Sequence, residues 1–207
     1  MKEVLAQVIN SLEDNFNEIS DSRKLLLSKV ADDIQILLDK KETAKLVFIC
    51  THNSRRSQFG QVWASAAAQH YSIERIETFS GGTETTCFNK SALNAIESDG
   101  FSVNEIEKSN NPRYLIKGLK NWNPSICFSK KYDDETNPET NFLALMTCDQ
   151  ADEACPLISC ASSRFALNYL DPKVADGTPN EKQVYQMRSR QIATEMLFLF
   201  STVKKAK

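Results

Sequence analysis

The stretch FICTHNSRRSQFGQ, residues 48 to 61, ends an apolar run on Cys50 and sets Arg56 six positions later, ahead of a helix-like segment that starts at Ser57. A turn between a strand and a helix gathers main-chain NH groups at one spot, and the helix dipole favours an anion there. The same field favours a charged sulfur on Cys50. A loop curled back on itself would bring the planar fork of Arg56 over that spot, where it matches two oxygens of a tetrahedral oxyanion. The pattern C-x(5)-R-S therefore reads as a nucleophile in a phosphate-sized cradle. The plainer alternative is a buried cysteine at a strand end followed by a solvated arginine pair. A nucleotide P-loop does not fit, because the glycines and lysine of G-x(4)-G-K-[ST] are missing.

The elements around this loop follow from periodicity. From Lys45 onward, short β-rich runs alternate with helical patterns, which predicts an α/β fold: a parallel sheet covered by helices on both faces. LVFI (46–49) is the first strand and SQFGQVWASAAAQHY (57–71) a helix whose small residues permit close approach to the sheet. IERIETFS (73–80) is the second strand, NKSALNAIESDG (89–100) the next helix, FLALMT (142–147) a central strand and residues 180–203 a long closing helix. Between 103 and 141 the pattern is less regular; RYLIKGL and SICFSKKY could pair as a hairpin around KNWNP. Ahead of this unit, apolar residues at helical spacing from Val4 to Ile19 and from Leu26 to Leu38 predict a helical hairpin, with Ser20, Asp21 and Ser22 as candidate N-caps. Residues 1–44 thus form an N-terminal helical extension and residues 45–207 the catalytic-looking domain. The hairpin's apolar face must pack on that domain, on a second copy or on a partner, and the sequence leaves the choice open.

Composition narrows the function. The chain of 207 residues carries a formal charge of -2, without the basic footprint that nucleic acid demands. No apolar run approaches a membrane span, and the first residues interleave acids and amides with apolar side chains, unlike a secretory signal; we expect a cytoplasmic protein with no nucleic acid and no membrane as partners. Six cysteines in a chain of this size point, in a reducing compartment, to catalysis, metal binding or burial. With His52 and His70 the only histidines, no metal or other cofactor is expected.

These motifs resemble the low-molecular-weight protein tyrosine phosphatases and the thioredoxin-coupled arsenate reductases that share their fold. VFICTHNSRRSQ is similar to the family's anion loop. The resemblance implies Cys50 as nucleophile, Arg56 as the residue gripping the anion, Asn53 as a brace and Ser57 as a donor to the thiolate. Thr51, His52, Ser54 and Arg55 complete the loop, with His52 standing where the family commonly has glycine. Arg55 is expected as an exposed extra charge that steers anions. FSGGT resembles the segment after the second strand, where Ser80 would support the loop, and YLDPK resembles the late D-P segment that supplies a general acid, here Asp171. Asp176, before Gly177, is its rival. The resemblance covers residues 45–203, apart from much of 104–141, and implies a three-layer sandwich around the parallel sheet.

MTCDQADEACP separates two activities. In the reductases of this fold a similar C-x(6)-C-P segment carries the second and third redox cysteines, here Cys148 and Cys155, and the polar stretch between them is expected to bend or unwind so that one sulfur can reach the other. As a reductase the chain would take arsenate and a thiol donor such as thioredoxin. As a phosphatase it would cleave phosphomonoesters through a phosphocysteine at Cys50, with Trp122, Tyr132 and Tyr169 as candidate walls. A non-catalytic phosphate-binding module is the third reading. Cys87, Cys127 and Cys160 are expected as small buried or half-buried residues, Cys160 alone doubling as a possible resolving thiol.

Overall fold

The computed structural model describes residues 2–119, 123–154, 158 and 160–205. In chain order the elements are α1 (Lys2–Glu13), α2 (Asp21–Asp39), β1 (Ala44–Cys50), α3 (Arg56–His70), β2 (Ile76–Gly82), α4 (Lys90–Ser98), β3 (Ser102–Glu107), β4 (Arg113–Lys117), β5 (Ser125–Cys127), β6 (Phe142–Met146), α5 (Asp149–Ala154), β7 (Ala161–Ala166) and α6 (Glu181–Thr202). Four strands form a parallel sheet in the order β2-β1-β6-β7. Side chains alternate across it. Leu46 and Phe48 of β1 join Leu143 and Leu145 of β6 in the large core beneath the helices, whereas Val47, Ile49, Ala144 and Met146 face a smaller core closed by Ala151 and Ile158. Burial on both faces is why the central strands read as unbroken apolar runs.

On the large-core face α3 packs against β1, β2 and α6. Its small residues serve the expected purpose: at Gly60 an added Cβ would collide with the ring of Phe48, so helix and strand approach more closely than any side chain would permit. The N-terminal hairpin packs on α6 within the same chain. Leu5, Ile9, Leu12, Leu27, Val30, Ile34 and Leu38 are buried in the core that holds Ile192, Met196 and Phe200; each such side chain contributes roughly 1.5–3 kcal/mol of burial. Ser20 is the N-cap of α2, its hydroxyl accepting from the Arg23 NH. Among the described residues no helix is long and apolar enough to cross a membrane.

Three elements were not anticipated. β3, whose last four residues are exposed, completes a small antiparallel sheet, β3-β4-β5, in which β4 and β5 pair as expected. β7 is an edge strand with the serine-rich sequence ASSRFA. Both carry too little apolar alternation to stand out, because an edge strand needs only one dry face. The polar stretch after Cys148 is a short helix, α5, held down by the fully buried Ala151.

Candidate functional site

The anion loop hangs between β1 and α3, and its backbone is fixed from outside. Six consecutive carbonyls are each taken by a donor in the surrounding protein. Thr83 NH bonds the Cys50 carbonyl at 3.2 Å, Glu84 NH that of Thr51 at 2.8 Å, Asn89 NH that of Ser54 at 3.0 Å and Phe59 NH that of Arg55 at 2.9 Å. The Ser129 hydroxyl takes the His52 carbonyl at 2.8 Å, and the Gln58 side-chain amide that of Asn53 at 3.0 Å. In a trans peptide the following NH points away from the carbonyl. With carbonyls 50–55 engaged outward and no cis bond among the described residues, the NH groups of residues 51–56 face the opposite way, into the loop. A concave set of donors of this kind is an anion nest.

Cys50 lies at the floor of this loop, 3 % exposed. Its Sγ is 3.1 Å from the Ser57 Oγ, which in turn accepts from Asn53 Nδ2 at 2.8 Å. Because that bond occupies a lone pair of the Ser57 hydroxyl, its single proton is available to the sulfur. Asn53 is the loop's one left-handed residue, with φ 46°, a conformation asparagine tolerates. Its Oδ1 accepts from Lys130 NH at 2.9 Å, which staples the loop to the segment after β5. His52, at the position where glycine was the comparison, does not need positive φ; its ring lies 3.4 Å from Glu84.

Arg56 opens α3 and is buried, turned away from bulk water. Its Nη1 donates to the Tyr169 carbonyl at 2.9 Å and Nη2 to Asp171 Oδ2 at 2.6 Å, while Nε is buried without a protein partner among the described residues. Asp171 thus stands beside the arginine of the loop, and its other oxygen caps the short 3-10 turn Pro172–Ala175 by accepting from Lys173 NH at 3.0 Å. Its rival Asp176 is occupied elsewhere: it accepts from the Tyr185 hydroxyl at 2.6 Å and lies 3.3 Å from Arg55 Nη2. Burial first, then the bond to Asp176, pushes the Tyr185 phenol up, so it remains a neutral donor. Arg55 Nε donates to that same hydroxyl at 2.7 Å. The expectation of a solvated Arg55 is therefore corrected: the side chain is half-buried and ties the loop to α6.

Thr51 leads to the second thiol. Its Oγ1 lies 3.5 Å from Cys148 Sγ, and Cys148 shares the smaller core with Cys50. Ala151 NH approaches the Cys148 sulfur at 3.4 Å across the first turn of α5. Cys155 and Trp122 lie outside the described residues. Ser80 is fully buried, but its hydroxyl donates to Gln61 of α3 at 2.6 Å, so its support reaches the loop through the helix and not by contact. Ser54 is held by Cys87, whose carbonyl accepts from the Ser54 hydroxyl at 2.7 Å. Cys127 is buried as expected, and burial pushes its thiol up to about 12; Cys87 and Cys160 are exposed, contrary to expectation. Cys160 precedes β7 while Cys148 follows β6, so the two stand at opposite ends of parallel strands. Five residues of β6 put roughly 16 Å between them. That placement removes Cys160 as a stand-in resolving thiol. Tyr169 is no pocket wall either, since its ring is buried among α2 and α6, whereas Tyr132 packs at the edge of the smaller core.

Sequence reasoning missed Gln58, Ser129 and Gly82. Gly82 closes β2 against the loop: an added Cβ would sit 2.6 Å from the Thr51 carbonyl oxygen and 2.8 Å from the Asn53 nitrogen. Gly82→Ala is expected to displace the loop backbone, cost about 1–3 kcal/mol of stability and weaken phosphate binding; thermal melts with and without phosphate check both effects.

The parallel sheet, its helices and the loop after β1 make up the low-molecular-weight phosphatase fold, with a cysteine thiol at the floor of a loop of main-chain amides. No model of a known protein family matches the sequence. The chain is similar to the arsenate reductase of Bacillus licheniformis, 26 % identical over 156 residues that span 75 % of this chain and 94 % of that protein, and to the arsenate reductase of Bacillus subtilis, 26 % identical over 149 residues, 72 % and 88 %. Among solved structures, a YwlE mutant from Bacillus subtilis superposes with a TM-score of 0.53 at 13 % identity, covering 77 % of this chain and 97 % of that one. The tyrosine phosphatase AmsI of Erwinia amylovora gives 0.51 at 11 % identity, covering 79 % and 95 %. The solved structures establish the fold; the sequence likeness is to arsenate reductases.

Proposed function

We propose that the chain is an arsenate reductase, acting through a thiolate adduct on Cys50 and a disulfide relay through Cys148 and Cys155. The observation that carries the reading is the loop in which carbonyls 50–55 are all bound outward, which leaves its NH groups to face inward above a cysteine. Arsenate held there and gripped by Arg56 is attacked at arsenic by the Cys50 thiolate. The departing oxygen takes the proton of Asp171 and leaves as water. Cys148 then attacks the Cys50 sulfur; the sulfur–arsenic pair of electrons stays with arsenic, which departs as arsenite, and a Cys50–Cys148 disulfide forms. Cys155 attacks Cys148 and frees Cys50, and a dithiol donor such as thioredoxin reduces the outer disulfide. The position of Cys148, one hydroxyl away from the loop, supports the second step. The catalytic unit in this reading is residues 45–207, with residues 1–44 an extension, and the chain works in the cytoplasm, where such donors are found.

A second reading, phosphomonoester hydrolysis, is favoured by one fact: Cys50, Arg56 and Asp171 suffice for it. One experiment separates the two. With arsenate, thioredoxin, thioredoxin reductase and NADPH, the wild-type chain is expected to consume NADPH, and Cys148→Ser to stop that consumption while sparing hydrolysis of an aryl phosphate. Arsenate turnover surviving in Cys148→Ser would exclude the relay.

A further inference from the structure

A polar cluster inside the helical layer reaches the site from the N-terminal hairpin. At its centre is Glu195 of α6, 4 % exposed. Its Oε2 accepts from Arg23 Nε at 2.8 Å and from the Tyr169 hydroxyl at 2.6 Å, and Arg23 Nη2 lies 2.8 Å from the same oxygen. Arg23, in the first turn of α2, also covers the Tyr169 ring, with its guanidinium carbon 4.7 Å from the centroid. Burial and the adjoining Glu195 push the Tyr169 phenol well above its ordinary value, so it stays a neutral donor to the carboxylate. The Tyr169 carbonyl is the acceptor of Arg56 Nη1, and Asp171 follows two residues later.

The segment from β7 to the 3-10 turn is tied to the end of β6 through its main chain, Leu167 NH bonding the Met146 carbonyl at 2.7 Å and Tyr169 NH that of Thr147 at 3.2 Å, and its side chains supply the remaining holds. Leu170 is 76 % exposed, and beyond Leu167 and Pro172 the tyrosine is its buried side-chain anchor. A carboxylate as buried as Glu195 is costly to leave without a compensating cation. Arg188 is a second buried guanidinium whose charge acts on Glu195 and Tyr169, but its Nη1 is bonded to Gln191 on its own helix, so the cation in direct contact with the carboxylate is Arg23. Resting on the reading of Arg56 and Asp171 given above, we propose that Arg23 and Glu195 are positioning residues for the reaction. Their ion pair, brought by the hairpin, fixes Tyr169, and Tyr169 holds the Asp171 segment in register with Arg56 and Cys50.

With Arg23→Gln the carboxylate loses its cation and the tyrosine its stacking partner, and the acid drifts. A displacement near 1 Å is enough to slow a positioned reaction by up to about 10²-fold. The test measures single turnovers of the full-length protein, by loss of thiols with arsenate and by burst release of nitrophenol from p-nitrophenyl phosphate. Arg23→Gln is expected to lower the rate constant by about 10- to 100-fold at undiminished amplitude, and Arg23→Lys, which restores the charge, to recover most of it. Because Arg23 acts through the acid segment, Arg23→Gln added to Asp171→Asn should cost little beyond Asp171→Asn alone. A wild-type rate in Arg23→Gln, a loss confined to amplitude, or full multiplication of the two effects overturns the inference and leaves the acid assignment standing. A wild-type rate in Asp171→Asn, or a wild-type chain inert to both substrates, overturns the functional reading and this inference with it.

Discussion

Cys50→Ser is expected to abolish turnover of arsenate and of aryl phosphates alike, while phosphate still binds. The substitution changes one atom in a loop whose conformation is set elsewhere. Asn53 is held by Ser57 and Lys130, and the loop carbonyls by Gln58, Ser129 and the NH groups of residues 83, 84 and 89. The inward donors, and with them anion affinity, are therefore retained. The nucleophile is not, because a hydroxyl has almost no anionic fraction near neutral pH and its hydrogen-bond partner, the Ser57 hydroxyl, offers a proton and does not take one. Loss of a covalent nucleophile costs on the order of 10⁴-fold or more. Phosphate titration by calorimetry alongside both activity assays checks the pair of outcomes; turnover surviving in Cys50→Ser would remove the enzyme reading altogether.

Arg56→Lys is expected to lower kcat by about 10²–10³-fold and to raise KM for the oxyanion. Lysine keeps the charge but not the fork. The two ends of the guanidinium are divided between the Tyr169 carbonyl and Asp171, and Nε has no protein acceptor among the described residues. An ammonium group satisfies one of these partners at a time, so it leaves the acid or the carbonyl unpaired in a buried setting. Arriving oxyanion then meets a single mobile donor in place of a fixed plane. Steady-state kinetics in parallel with melting curves separate this loss from misfolding. An Arg56→Lys protein with wild-type kcat and KM would show that the loop amides alone hold the anion.

Much of this molecule is legible in residue order because the relevant physics is local. Strand, loop and helix around Cys50 follow from an apolar run, a polar break and a small-residue helix, and their proximity is guaranteed by covalent continuity. The alternation of Leu46 and Phe48 with Val47 and Ile49 marks a strand covered on both sides, and Ser20 marks the start of α2. The edge strands β3 and β7 escape notice because half-exposed strands carry little pattern, and α5 because a six-residue segment with four polar side chains is held as a helix by the docking of one alanine.

Residue types and spacing by themselves determined that a thiol, a guanidinium and a ring of amides would share one turn, since those groups lie within seven residues of each other. Folding alone decided what surrounds them: that Arg55 is tied to Tyr185 and Asp176, that Arg56 meets Asp171 and the Tyr169 carbonyl, and that Arg23, more than a hundred and forty residues away from Tyr169 in the chain, covers its ring. Such contacts depend on how α2 and α6 cross behind the sheet, and a packing direction leaves no periodic mark on the polar side chains that happen to meet there.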